Sequence, residues 1–106
     1  MTEQQIIKLI QSLPESDRAV YLTPTENYIY EEIVLELSEN VDLEFRVFAH
    51  CNYVQEVAVT DETGRHKYEY VSINETIDID FAKVYIDGDF AFKLEEDITE
   101  HFHLIT

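Results

Sequence analysis

The polar and apolar positions change period once, near residue 28. Before it, Ile6, Ile7, Leu9, Ile10 and Leu13 recur at helical spacing and form one apolar stripe. Thr2 with Gln5 three residues on is a capping-box pattern, and Pro14 stops the element, so residues 2–13 read as an amphipathic helix. The stripe reads as a core-packing face. Pro14 and Pro24 then bracket a short strand, Ala19–Leu22.

From Tyr28 the period is two. Ile33, Leu35 and Leu37 alternate with polar residues, as do Val41, Leu43, Phe45 and Val47. A three-residue turn Ser38-Glu39-Asn40, with Asn40 left-handed, pairs Leu37 with Val41, Leu35 with Leu43 and Ile33 with Phe45. Glu36 then meets Asp42 and Glu32 meets Arg46 on the opposite, solvated face. A helix over 26–37 competes, because Ile29, Ile33 and Leu37 are four apart, but the hairpin register favours strands. Val54, Val57 and Val59 lead into the turn Asp61–Gly64, and Tyr68, Tyr70 and Val71–Ile73 return from it. In the last hairpin, a three-residue turn Asp87-Gly88-Asp89 sets Ile86 against Phe90, Val84 against Phe92 and Ala82 against Leu94. A two-residue Asp-Gly turn is chemically good but sets Ile86 against Asp89.

These elements predict a single α+β domain over 1–106, an N-terminal helix on a mainly antiparallel meander of about five to seven strands. Phe45, Phe81, Phe90, Phe92 and Phe102 are the expected aromatic core. A chain of 106 residues that is 45% hydrophobic supports one small core. The single Cys51 excludes an internal disulfide. The opening residues lack the basic and apolar regions of a signal peptide, so a cytoplasmic protein is expected.

Charge changes the functional picture most. There are 23 acids against 7 bases, a formal net charge of −16. This disfavours direct contact with nucleic acid or an anionic membrane and favours a basic protein surface. Strand alternation turns Glu36, Asp42, Glu44, Asp78 and Asp80 outward. Alternate carboxylates there repeat at about 6.7 Å, comparable to successive phosphates of a nucleic-acid strand. The expected function is therefore a non-enzymatic acidic binding protein. Its basic partner includes, as one case, the nucleic-acid site of a nuclease or defence protein, which the array would mimic.

Catalytic and metal readings are weaker. Asp87-Gly88-Asp89 followed by Phe90 departs from a calcium-loop pattern, and Asp78 and Asp80 lie along a strand away from it. His101 and His103 would share one strand face, but no second ligand pair accompanies them. Cys51 and His50, as strand neighbours, point to opposite faces, a poor nucleophile–base arrangement. No cofactor, metal or catalytic residue is expected. The alternatives are an assembly subunit using a sheet edge or the Ile6–Leu13 face, and a small metal-binding domain.

Overall fold

The computed structural model describes residues 1–106. Its first element is α1 (Glu3–Ser12), closed at its start by the reciprocal Thr2–Gln5 capping box. Strand β1 (Ala19–Tyr21) is followed by β2 (Tyr28–Ser38), β3 (Val41–Thr60), β4 (His66–Ile86), β5 (Asp89–Lys93) and β6 (His103–Ile105). The fold is α+β: one four-stranded antiparallel sheet in the order β2-β3-β4-β5, and a small parallel pair, β1 with β6. That pair corrects the simple meander, since it joins segments from the two halves of the sequence. No helix is long and apolar enough to cross a membrane.

The strand reading from Tyr28 holds against the competing helix over 26–37, and Ile33–Phe45, Leu35–Leu43, Glu36–Asp42 and Glu32–Arg46 are paired as expected. The turn differs. Ser38 pairs with Val41 and the register slips at Leu37, so the connection is Glu39-Asn40 and Leu37 is an extra residue of a β-bulge. Asn40 does not adopt positive φ. The last hairpin repeats the device. Ile86 pairs with Asp89 across a two-residue turn, in which Asp87 (φ 52°) and Gly88 (φ 83°) both take the left-handed conformation that a type I′ turn demands. A slip between Val84 and Tyr85 then restores Val84 opposite Phe92, and the Leu94 N–H donates to the Ala82 carbonyl at 2.9 Å. A tight turn plus one bulged residue has the same offset as a three-residue turn, which is why the distal pairs are right and the turns wrong.

The core lies between the inner face of half the sheet and a covering layer. Val41, Leu43, Phe45, Val47, Ala49 and Cys51 alternate inward along β3, with Ile79 and Val84 from β4. Ile6, Ile7 and Ile10 of α1, Val20, Leu22, Leu94, Ile98 and Phe102 cover them. Phe45 and Phe102 pack with centroids 5.1 Å apart. Phe92 is partly buried, whereas Phe81 and Phe90 are exposed, contrary to their expected place in the core. The bulges turn both outward: Phe81 itself carries φ 52°, and Phe90 sits beside the tight turn, opposite Tyr85.

The covering layer ends where β3 is half complete. Strands of 20 and 21 residues therefore run on as a bare two-stranded arm, and the molecule measures 64 × 21 × 20 Å. A 20-residue strand extends about 66 Å, so β3 spans the whole length. The sequence suggests serial hairpins here, but the segments around Val47 and Val57 are parts of one strand. At the arm's tip Asp61 Oδ1 accepts from the Thr63 N–H (2.9 Å), the Thr63 hydroxyl (2.7 Å) and the Arg65 N–H (2.9 Å), while Gly64 takes φ 80°.

Candidate functional site

The outer face of the sheet is set by the register, because directly paired residues share a face. Across β2, β3 and β4 it reads in rows: Glu36, Asp42 and Tyr85; Val34, Glu44 and Lys83; Glu32, Arg46 and Asp80; Tyr30, Phe48 and Asp78; Tyr28, His50 and Thr76. All five carboxylates singled out from sequence, Glu36, Asp42, Glu44, Asp78 and Asp80, thus stand on one solvent-facing surface.

They do not form a bare anionic array. Arg46 sits among them, with Nε 3.5 Å from Glu32 Oε1, and Glu44 stands opposite Lys83. The hollow between Glu32, Glu44, Arg46, Phe81 and Lys83 is only about 40 Å³, too small for an organic substrate. Below it the surface turns aromatic. Tyr28 and Tyr30 flank Phe48 edge-on, at centroid distances of 5.4 and 6.5 Å.

Asp78 and Asp80 have closer acidic neighbours from elsewhere in the chain. They border an open depression of about 290 Å³ with Glu95, Glu96 and Asp97, and no lysine or arginine lines it. Two contacts build this arrangement. Thr99 Oγ1 accepts from the Ile79 N–H at 3.0 Å and donates to the Ile79 carbonyl at 3.4 Å, tying the segment to the free edge of β4. Glu3 Oε1 accepts from the N–H groups of Glu95 and Glu96, each at 2.8 Å, tying it to α1. Hydrogen bonding to Thr99, whose N–H donates to Asp97 Oδ1 at 2.9 Å, holds the Asp97 carboxyl below its ordinary pKa. The block Glu95-Glu96-Asp97 is visible in the sequence, but nothing local places it beside Asp78.

The other candidates separate. His101 lies in a short 3-10 turn (Thr99–His101) and His103 begins β6, so the two do not share a strand face as expected. No group of three or more His, Cys, Asp or Glu side chains has a metal-binding arrangement. Cys51 is fully buried on the inner face, and His50 is on the outer one. Desolvation, reinforced by the neighbouring Cys51, raises the Tyr53 hydroxyl pKa, and that hydroxyl donates to the Leu22 carbonyl at 2.8 Å.

A scan against models of protein families finds no match, and searches of curated proteins and of solved structures find none either.

Proposed function

We propose that this chain is a non-enzymatic acidic binding protein that receives a basic protein surface. One observation carries the reading: Asp78, Asp80, Glu95, Glu96 and Asp97 surround a concave, solvent-open depression with no basic side chain in its lining. Lysine or arginine side chains of a partner entering it would meet several carboxylates at once. Such complementarity raises association rates and gives salt-dependent binding. Glu36, Asp42 and Glu44 extend the negative surface along the outer face, and Tyr28, Tyr30 and Phe48 add apolar area beside it. A nucleic-acid-binding partner is the natural case, since its groove is already built for regularly spaced anions.

The test compares two variants of equal net charge. One carries Asp78→Asn, Asp80→Asn, Glu95→Gln and Glu96→Gln; the other carries Glu15→Gln, Glu26→Gln, Glu39→Gln and Glu62→Gln. Proteins captured from a host lysate are measured at low and high salt, with and without duplex DNA as competitor. The expected result is one partner held by the wild type and the second variant, lost by the first, and displaced by salt and DNA. Capture unchanged in the first variant, or no salt-sensitive partner for the wild type, would overturn the reading.

A further inference from the structure

Beyond Tyr53, which packs on the core and donates to the Leu22 carbonyl, the arm's inner face is open to solvent, yet its residues are those of a paired strand. Tyr68 and Tyr70 are 60% and 57% exposed, and Val57 and Val59 are 51% and 55% exposed. Its inner face continues the core face of the base through Tyr53, Gln55, Val57, Tyr68 and Tyr70, none of them charged. On its outer face Glu56 stands directly opposite Glu69, a like-charge cross-strand pair that costs stability.

The β4 edge of the arm is also open. Strand β5 pairs only with Lys83–Ile86, so the edge from His66 to Ser72 has no neighbouring strand. Open edges are usually blunted. Nearer the base this one is, by the bulge at Asn74 (φ 53°) and by Thr99 on Ile79. Along His66–Ser72 there is no proline and no extra residue: the slip beside Tyr68 puts its bulged residue, Ala58, on β3, and the two charges on the β4 edge, Lys67 and Glu69, are of opposite sign. The other edge of the arm, on β3, is interrupted by a register slip between Val57 and Val59 and offers only Glu56.

We infer that this β4 edge pairs antiparallel with the same edge of a second copy, about a two-fold axis through Tyr68. The sequence Lys67-Tyr68-Glu69 is self-complementary about its centre. In that register Lys67 of each copy stands opposite Glu69 of the other, twice, on the outer face. The Glu69 carboxylate, opposed by Glu56 in its own chain, thereby gains a cation. On the inner face Tyr68 meets Tyr68 and His66 meets Tyr70, which adds cross-strand aromatic pairs. No other register centred nearby does this: about Tyr70, Lys67 would face Ile73 and Glu69 would face Val71.

The arrangement also accommodates the charge. Residues 52–73 carry Glu56, Asp61, Glu62 and Glu69 against Arg65 and Lys67, so they hold −2 of the chain's −16. Antiparallel arms point the two acidic bases in opposite directions. The bases then begin about 40 Å apart at ~3.3 Å per residue, far beyond the ~8 Å screening length at physiological salt. Strand addition of this kind draws its affinity from main-chain hydrogen bonds and its specificity from the alternating side chains. It leaves the depression around Asp78 and Asp80 open in both copies.

Sedimentation equilibrium from ~10 μM to ~1 mM, the range suited to an interface below standard size, tests the inference. The wild-type mass should climb from 12.5 kDa toward twice that value. Lys67→Glu alone and Glu69→Lys alone should each stay monomeric, because each sets like charges across the axis. An equimolar mixture of the two should dimerise, and so should the double variant, which restores complementarity in one chain. A wild type that stays at monomer mass would overturn the inference. So would single variants that associate like the wild type, or a mixture and double variant that do not associate.

Discussion

Arg46 lies over the ring of Phe81, its guanidinium carbon 4.3 Å from the centroid, and Lys93 approaches the same ring at 5.1 Å. The contact exists because a bulge in β4 places Phe81 and Ala82 opposite Phe45 alone. Ala82 takes the inward place and Phe81, at φ 52°, turns its ring to the acidic outer face. A non-glycine residue in this conformation costs roughly 1–2 kcal/mol. An exposed cation–π contact returns about 0.5–1 kcal/mol of it.

Replacing Phe81 by leucine keeps the backbone cost and removes the contact, so Phe81→Leu should destabilise the fold by about 0.5–1 kcal/mol. Arg46→Met removes the same contact from the other side. A double-mutant cycle by urea denaturation should therefore show a coupling of similar size between the two positions. Additive single effects would mean that the ring contributes only buried area.

One strand offers a sharper contrast. Leu43 is fully buried in β3 and Val57, on the same strand, is half exposed in the arm. Leu43→Ala should cost about 2–5 kcal/mol, the range for an aliphatic cavity in a packed core. Val57→Ala should stay within about 0.5 kcal/mol, as surface changes do, when unfolding is measured at concentrations where the chain is monomeric. A large loss at Val57 under those conditions would show that the arm packs on something within its own chain.

Acid should act in two opposed ways. Asp61 is held below its ordinary pKa by the Thr63 hydroxyl and then the Arg65 N–H, Glu75 by the hydroxyls of Ser72 and Thr106, and Asp97 by Thr99. A carboxylate depressed in the folded state contributes stability that is complete above the unfolded pKa and is lost as pH falls through the folded one. These three therefore make the fold weaker in acid. Self-repulsion at −16 makes it weaker at neutral pH, and lessens as the solution approaches the isoelectric point near 4.3. Thermal unfolding followed by circular dichroism should place maximum stability toward the acid end of the usual window of about pH 5–8, and added NaCl should raise the midpoint at pH 7. A midpoint indifferent to salt would mean that the repulsion is not limiting.

Much of this molecule is determined by local sequence. The period of 3.6 up to Leu13 and the period of two from Tyr28 fix α1 and the paired strands, because each pattern buries one face only in its own conformation. The capping box at Thr2 follows from Gln5 three residues on, and the outward set Glu36, Asp42, Glu44, Asp78 and Asp80 from the period of two. Tertiary structure decided the rest. A bulged residue looks like any other in a pattern of polar and apolar letters, so the bulge at Leu37, the outward turn of Phe81 and the tight Asp87-Gly88 turn are not legible in that pattern. The parallel pairing of β1 with β6, and the placing of Glu95–Asp97 beside Asp78, depend on contacts far apart in the chain. The arm shows the same limit from the other side: Val57 and Tyr70 carry the residue types of a covered strand, but only the extent of the covering layer decides that they remain open to solvent.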